Sequence, residues 1–387
     1  MLNNEKKYQE YVVLTRRHLH ENPEIGFDIN ETINFIAQEL DKLNVKYYKN
    51  IGISSLVAVI EGNNKTPVIG FRADVDALEI QEMNDVSYKS KIDGRMHACG
   101  HDAHTAILLT LIKYIVEEKV QINGTLKFIF QAAEEGPTSG GELVCKDKLM
   151  DDVDVFLAIH VNPMIPSKKI GIKSGEFNAS CDDFVIKLIG KSGHAAYPSY
   201  SIDPIQMGVE VYTLIQNMKA RELDPLEKSV ISVCIFEAGS AFNIIPDCCY
   251  LKGTVRTYSK TIKDKIKTKL FDIVKSVTTL HNGSYEIDYQ DGVIPTINTV
   301  EVCEYLKKIV INTFGNDSFY EITTPSMGVD DFAYYIDLKK GAMVCLGTKN
   351  EKKFKETPLH NSHFNIDEDS MLVGVEFYLE SIKNWKK

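Results

Sequence analysis

Hydrophobic positions follow two periods along the chain, and each period predicts a different element. The stretches "EYVVLTRRHLHENPEIG" and "NETINFIAQELDKLN" have apolar residues at helical spacing, so they predict two helices, the second with Asn30 as its N-cap. Short apolar runs bounded by turn residues, such as "SSLVAVIEG" and "PVIGFRADVD", predict strands. A further helix is predicted to start near His101. Strands that alternate with helices indicate an α/β domain whose mostly parallel sheet has helices on both faces.

The pattern changes beyond residue 174. The order strand, helix, strand, strand, helix, strand follows over about 110 residues, which is typical of a ferredoxin-like α+β unit. Beyond it the first pattern resumes. We therefore predict a discontinuous catalytic domain of residues 1–178 and 293–387, with a lid domain of residues 179–292 inserted into it.

Composition excludes several classes of partner. The chain has 387 residues and a net charge of −10, so the phosphates of a nucleic acid would be repelled. No apolar run is long enough to predict a membrane span, and "MLNNEKKYQEYVVL" lacks the apolar stretch of a secretory signal. The eight cysteines are scattered without a paired framework. These features predict a cytoplasmic protein.

One short stretch, "GRMHACGHDAHTA", concentrates ionisable and sulfur-containing side chains. Cys99 and His101 are zinc-class ligands one residue apart. On its own the pair favours a simpler interpretation, a buried thiol beside histidines that cap a helix. His97 and His104 remain unassigned.

Three later features favour a metal site. Adjacent carboxylates, Glu134 and Glu135, end an apolar strand, and strand ends are where open α/β sheets bind ligands. His160 is predicted at the end of another apolar strand just before a turn, and His360 follows a proline turn. Five of these residues could together hold two divalent ions, with one ligand shared by both ions. They are Cys99, His101, Glu135, His160 and His360. This would be a two-metal hydrolytic site.

Several motifs in order along nearly the whole chain carry a family resemblance. They include "RRHLHENPEIGF", "GFRADVDALEIQE", "HACGHDAH", "FQAAEEG", "GHAAYP", "FNIIPD" and "LHNSHF". The chain resembles the M20 family of metallopeptidases, in particular its amidohydrolase branch of aminoacylases, hippurate hydrolases and auxin-conjugate hydrolases. The resemblance implies a zinc-peptidase-like α/β domain and a ferredoxin-like lid that forms a homodimer.

The resemblance also implies a role for each matching residue. It assigns two metal ions to one set of ligands: Cys99, His101, Glu135, His160 and His360. It implies that Glu134 is the general base and that His194 of the lid reaches the scissile carbonyl. Asn243 and Arg256 match positions that bind the carboxylate of the substrate.

Three departures from the branch pattern are visible. Ala132 stands where proline is usual, and Val329 and Asp330 stand where Ser-Glu is common, in a loop expected to line the substrate pocket. The metal-binding HxD motif of the wider family is replaced by "FRADVD", in which Arg72 cannot bind a cation. Asp74 is then a candidate to support a ligand through a hydrogen bond.

The predicted function is metal-dependent hydrolysis of the amide bond of N-acyl-L-amino acids, which are small-molecule substrates. An N-acetyl-diaminopimelate deacetylase or a dipeptidase is an alternative, and so is a catalytically silent metal-binding dimer. A cysteine hydrolase is disfavoured, because it leaves the paired glutamates and distant histidines unexplained. A thiolate ligand favours Zn²⁺, while carboxylate and imidazole also suit Mn²⁺, Co²⁺ or Ni²⁺.

Overall fold

The computed structural model describes residues 2–353 and 357–385. Its helices, in chain order, are α1 Glu5–Glu21, α2 Asn30–Lys42, α3 His101–Glu117, α4 Gly140–Cys145, α5 Pro204–Arg221, α6 Lys260–Leu280, α7 Val300–Phe314, α8 Ala333–Leu338 and α9 Met371–Asn384. Its strands are β1 Lys46–Ile51, β2 Ser55–Glu61, β3 Val68–Asp74, β4 Thr125–Gln131, β5 Val155–Pro166, β6 Ile170–Ile172, β7 Gly175–Asn178, β8 Asp182–Ile189, β9 Gly193–His194, β10 Ser229–Ala238, β11 Ile244–Ile245, β12 Cys248–Thr257, β13 Ser284–Gln290, β14 Thr296–Asn298, β15 Phe319–Glu321 and β16 Gly341–Lys349.

An eight-stranded sheet forms the centre of the first unit, in the order β1-β2-β4-β3-β5-β16-β6-β15. The central strands β4, β3, β5 and β16 run parallel, whereas β1 and β2 pair antiparallel with their neighbours. Strand β6 pairs antiparallel with β16 and parallel with β15. Strand β3 is buried along its whole length, as expected for a strand covered on both faces. The mostly parallel α/β sheet predicted from the sequence is confirmed.

The carboxyl ends of β3 and β4 meet at one edge of this sheet, since the two strands pair in parallel from Val68–Thr125 to Asp74–Gln131. Helix α3 also starts at a loop that follows β3, and its N-cap Gly100 has a φ of 88°. A Cβ at Gly100 would lie 2.3 Å from Val161 on β5, so this turn requires glycine. The "CGH" motif is thereby held against β5.

The second unit contains the four-stranded antiparallel sheet β10-β12-β8-β13. Helices α5 and α6 contribute to its buried core with residues such as Met207, Val211, Ile266 and Leu270. In sequence order the strands are second, third, first and fourth, which is the ferredoxin-like arrangement predicted for this segment.

The division of the chain differs in detail from the predicted one. The first unit comprises residues 1–177, 297–325 and 330–387, and the second comprises 178–296 and 326–329. The prediction had placed residues 293–296 and 326–329 with the catalytic domain. Residues 326–329 belong to the second unit because the backbone N–H of Ala179 donates to the carbonyls of Ser326 and Gly328, both at 3.1 Å.

Two smaller findings complete the fold. Asn30 is not the N-cap of α2: Ile29 occupies that position, and the carboxylate of Glu24 instead accepts from the N–H groups of Glu31 and Thr32 at 3.2 and 2.7 Å. Within residues 2–353 and 357–385, no helix is long and apolar enough to cross a membrane.

Candidate metal centre

Five side chains from four separate segments of the chain meet near the carboxyl ends of β3 and β4. The donor atoms of Cys99, His101 and His160 lie within 4.8 Å of one another. Those of Cys99, Glu135 and His360 also lie within 4.8 Å of one another. The five candidate ligands therefore form two trios, and Cys99 is the donor that both trios contain. We call these five residues the ligand cluster.

His101 is oriented by the loop after β3. Its Nδ1 lies 2.8 Å from the carbonyl oxygen of Asp76, to which it donates, so the lone pair of the neutral ring is on Nε2. That Nε2 atom is buried and has no hydrogen-bond partner among the described residues. A buried nitrogen lone pair without a partner is costly, unless a cation or proton binds it.

His160 is held in the same manner on β5. Its Nδ1 donates to the carbonyl of Val161 at 2.8 Å, and its Nε2 lies 3.5 Å from Cys99 Sγ. Burial lowers the pKa of His160 to about 4, so the ring is neutral, as metal binding requires. His160 does not end its strand as predicted, because β5 continues to Pro166 paired with β16. The β3–β5 pairing, however, ends at Ala158.

Glu135 and His360 form the other side of the ligand cluster. His360 Nε2 lies 3.2 Å from Glu135 Oε1, and His101 Nε2 lies 3.9 Å from the same oxygen. Burial opposes ionisation of Glu135, but the neighbouring His360 and His101 rings lower its pKa overall. His360 has a φ of 61°, a left-handed conformation rare for a side chain of this type, and its N–H donates to Ala98 at 2.9 Å.

The chemistry of these donors fits divalent cations. Each trio combines the thiol of Cys99 with imidazole, and one adds a carboxylate, which is a donor set typical of zinc. Burial raises the pKa of the Cys99 thiol well above its usual range, and only a nearby cation would favour its thiolate there. The buried and unpartnered Nε2 of His101 points to the same conclusion.

Glu134 lies outside the two trios that share Cys99, although its carboxylate is also within 4.8 Å of the donor atoms of His101 and Glu135. Its Oε2 lies 4.0 Å from His101 Nε2. Burial raises the pKa of Glu134 well above its usual range, and the neighbouring Asp330 and Glu135 carboxylates add to this effect. A carboxylate in such surroundings binds a proton readily, which is the property of a general base that also acts as an acid.

The sequence did not identify Asp76 as the group that positions these glutamates. Its two carboxylate oxygens accept hydrogen bonds from the backbone N–H groups of Glu134 and Glu135, both at 3.1 Å. Ala133, just before them, has a φ of 52°. Asp76 thus orients the paired glutamates and, through its carbonyl, His101. The sequence feature that could have indicated this role is the position of Asp76, two residues after Asp74, the last residue of β3.

Asp74 supports a ligand indirectly, through His104. Asp74 Oδ1 accepts from His104 Nδ1 at 2.5 Å, and His104 Nε2 accepts from the N–H of Val161 at 2.9 Å. Burial lowers the pKa of His104, which agrees with a neutral ring of that tautomer. Because Val161 follows His160, this chain of contacts anchors the backbone beside a candidate ligand.

Arg72 occupies the position of the missing HxD histidine and acts as a buried cation. It is 3% exposed, and its guanidinium contacts Asp74 at 2.6 Å and Asp331 at 2.8 Å. Asp330, one of the departures from the branch pattern, lies 3.4 Å from Arg72. The carboxylates of Asp330, Asp331 and Glu134 lie within 4.8 Å of one another, so this loop contributes to the surroundings of Glu134.

The other three predicted site residues lie in the second unit. His194 on β9 pairs with Ile244 on β11, and its Nδ1 accepts from the N–H of Ala196 at 3.1 Å, so the neutral ring carries its proton on Nε2. The exposed Asn243 precedes Ile244, and its carbonyl accepts from Ala195 at 3.1 Å. Arg256 on β12 donates to the carbonyl of Met327 at 3.0 Å.

Comparison with known proteins agrees with this geometry. The model of peptidase family M20/M25/M40 matches residues 70–384. A thermostable carboxypeptidase 2 from Saccharolobus solfataricus is 34% identical over 96% of this chain and 94% of its own length. The hippurate hydrolase of Campylobacter jejuni is 33% identical over 94% of this chain and 93% of its own.

A solved structure is similar over the same extent. It is a Bacillus subtilis protein described as a dinuclear metal-binding peptidase from the M20 family, with 28% identity, 97% coverage of both chains and a TM-score of 0.82. The family resemblance inferred from the motifs is therefore confirmed, and so is the expectation of a metal-dependent hydrolase. The chain belongs to peptidase family M20/M25/M40, and it is a metal-dependent amidohydrolase of that family.

Proposed function

We propose that the protein hydrolyses the amide bond of N-acyl-L-amino acids, with two metal ions in the ligand cluster. The observation that carries the proposal is the pair of donor trios that share Cys99, with the non-ligand carboxylate of Glu134 beside them. An amide carbonyl is a poor electrophile and its nitrogen a poor leaving group. Bound divalent cations would polarise the carbonyl oxygen and lower the pKa of water.

Glu134 supplies the proton transfers that this reaction needs. Its carboxylate takes a proton from the attacking water and then delivers it to the departing nitrogen. Burial raises the pKa of Glu134, which makes its carboxylate a stronger proton acceptor. Asp76 holds the backbone of Glu134 in place during these steps.

Three residues of the second unit complete the proposal. We assign to His194 the stabilisation of negative charge on the substrate oxygen, since its neutral ring presents an N–H at Nε2. We assign to Arg256 and Asn243 the binding of the substrate carboxylate, because a guanidinium binds a carboxylate through paired hydrogen bonds.

The relatives support this substrate class. A carboxypeptidase and a hippurate hydrolase both act on an amide whose nitrogen belongs to a residue with a free carboxylate. Because one relative is a carboxypeptidase, peptides, including dipeptides, are the alternative substrates. The departure at Asp330 alters the surroundings of Glu134, so the acyl group and the side chain of the substrate are left to experiment.

The test is an activity screen with matched substrates and defined metal ions. N-benzoylglycine, N-acetyl-diaminopimelate and an unblocked dipeptide separate the three alternatives, and a chelator control tests for the metal. N-benzoylglycinamide tests the carboxylate site: equal kcat/KM for it and N-benzoylglycine would exclude carboxylate binding by Arg256. Full activity in protein stripped of metal would overturn the proposal.

We also propose that two copies associate through the second unit. Strand β10 is at the edge of its sheet, and an unpaired edge strand is a template for a second chain. Ile235 on β10 is 44% exposed, and Val209 and Tyr212 on the neighbouring helix α5 are 54% and 42% exposed. An Ile235→Lys variant should convert a dimer to a monomer in light-scattering measurements. A monomeric wild-type protein would refute this association.

A further inference from the structure

A cavity of about 430 Å³ lies in the first unit between helices α1 and α2, away from the ligand cluster. Its lining comes from the end of α1, the loop after it, the exposed side of α2 and the segment 92–95. None of the predicted metal ligands or catalytic residues lines it. The volume is in the range of small-molecule sites, which are typically about 300–1,000 Å³.

One wall of the cavity suits a flat, apolar body. The ring of His18 packs on the ring of Phe35 with centroids 4.1 Å apart and planes 31° apart. Leu19 and Ile92 add aliphatic surface, and Ile92 is 40% exposed. Aromatic side chains bind aromatic ligands by offset or edge contacts of this kind.

The cavity also has a charged residue, Arg95, whose guanidinium has no partner among the described side chains. Arg95 lines the cavity, and its guanidinium has no hydrogen bond or ion pair to another side chain within residues 2–353 and 357–385. Glu24 also lines the cavity, but its carboxylate is occupied by the N–H groups of Glu31 and Thr32 at the start of α2. Its charge is therefore offset locally, and Arg95 remains available.

We propose that this cavity binds a small aromatic carboxylate, with the carboxylate on Arg95 and the ring against Phe35. Planar guanidinium groups bind carboxylates through paired hydrogen bonds, and the aromatic wall supplies the remaining contact area. The source of such a ligand rests on the proposed function, because both products of hydrolysis of an N-aroyl amino acid carry a carboxylate. An aromatic acid has the carboxylate alone, whereas an aromatic amino acid adds an ammonium group that the exposed Glu31 could meet.

Both walls of the cavity are anchored to the segment that follows Asp76. The carbonyl of Glu24 accepts from the N–H of Ala77 at 2.7 Å, and Met96, next to Arg95, exchanges two backbone hydrogen bonds of 3.0 Å with Leu78. Asp76 in turn holds the backbone of the paired glutamates. A ligand that binds both walls can therefore shift the backbone at Ala77, one residue from Asp76. Because Asp76 orients Glu134, the proposed general base, binding of the ligand should alter kcat.

The first experiment measures binding of radiolabelled benzoate and phenylalanine by equilibrium dialysis. The metal-loaded wild type should bind at least one of them, and Arg95→Gln should weaken that binding roughly tenfold or more. Arg221→Gln, at the exposed end of α5, is the matched control and should bind like the wild type. Unchanged binding by Arg95→Gln, or none by the wild type at 10 mM (a limit of about 3 kcal/mol of affinity), would overturn the proposal.

A second arm separates this cavity from the ligand cluster. Benzoate bound in the cavity should remain bound after the metal is removed by a chelator, and Arg95→Gln should weaken its binding. Benzoate bound to the metal ions would instead be released by the chelator and would still bind to Arg95→Gln. That second result would contradict the proposal. Kinetics then test the link to Asp76: benzoate should lower kcat in the wild type but act only on KM in Arg95→Gln. Purely competitive inhibition in both would overturn that link.

Dialysis requires no turnover, so the two proposals can fail separately. If none of the N-acyl amino acids is hydrolysed but benzoate binding depends on Arg95, the proposed function fails and the cavity site stands. If hydrolysis proceeds but binding is independent of Arg95, the outcome is the opposite.

Discussion

Two adjacent residues at the start of α3 belong to two different polar clusters. His101 belongs to the ligand cluster, whereas Asp102 belongs to a network of ions in which Asp102 Oδ2 accepts from Arg16 Nε at 2.8 Å and from His20 Nδ1 at 2.7 Å. Glu82 and Glu368 complete this second group, at 3.3 Å from His20 and 3.1 Å from Arg16. We call these five residues the ion network. Both clusters combine imidazole with carboxylate.

The two clusters differ in how their charges are balanced. The ion network contains its own cation, the fully buried Arg16, and its polar side-chain atoms all have partners. In the ligand cluster, by contrast, the buried His101 Nε2 has no hydrogen-bond partner, and no lysine or arginine among the described residues forms an ion pair with its five donors. A balanced cluster stabilises the fold, whereas an unbalanced one indicates a site for an external cation.

The largest expected effect tests Glu134, the proposed general base beside the ligand cluster. Glu134→Gln keeps the shape of the side chain but removes the proton acceptor, so kcat should fall by roughly 10²–10⁴ or more. Metal content, measured by mass spectrometry of the loaded protein, should stay at the wild-type value because neither trio contains Glu134. Near-normal turnover would show that Glu134 is not the base.

The next effect concerns the ion network. Asp102→Asn removes the main counter-charge of buried Arg16 and should lower the free energy of unfolding by about 3–5 kcal/mol, measured by urea titration. The matched change in the ligand cluster is His360→Asn, since asparagine tolerates the left-handed backbone found there. In metal-free protein it should change stability by less than about 0.5 kcal/mol. Equal losses in both variants would erase the distinction between the clusters.

The same distinction explains what the sequence could predict. The candidate ligands could be proposed because most of them were expected at a strand end or turn, and because their motifs resemble those of a known family. Asp76 and His104 were not, because they act through backbone hydrogen bonds to residues far away in sequence, and such partners leave no local pattern.

The errors have the same origin. Asn30 has the composition of an N-cap, but Glu24 from the preceding loop reaches the N–H groups first. The domain boundary moved because residues 326–329 return to the second unit through hydrogen bonds to Ala179, more than 140 positions away. Periodicity determines which elements form, but it does not determine which of their ends meet.

A smaller effect is expected from Asp76, which supports the ligand cluster without belonging to it. In Asp76→Asn one backbone N–H of the paired glutamates loses its acceptor, so metal affinity should fall by about 10–100-fold. Competition with a fluorescent chelator measures this. Asp28→Asn, an exposed change of the same type, is the control and should bind metal like the wild type. Unaltered affinity in Asp76→Asn would mean that the glutamates need no such support.

The smallest expected effect is a dependence of stability on pH that only the ion network should show. Burial and Arg16 lower the pKa of His20, but the hydrogen bonds to Asp102 and Glu82 outweigh them, so the folded-state pKa lies above its usual value of 6.5. A raised pKa means that the folded state binds the proton more tightly than the unfolded state. The stabilisation is therefore complete below pH 6.5 and is lost as the pH rises through the folded-state value.

His20→Gln isolates this contribution, because glutamine can still donate one hydrogen bond but does not titrate. The wild type should exceed the variant by about 1 kcal/mol at pH 5.5, the net contribution of one hydrogen bond, and the difference should shrink steadily towards pH 9. Urea titrations of metal-loaded protein at five pH values measure it. A difference that is constant with pH would mean that His20 stays neutral in the folded protein. Arg16 would then be the only positive charge in the ion network, and this one guanidinium would be all that distinguishes the charge balance of the ion network from that of the ligand cluster.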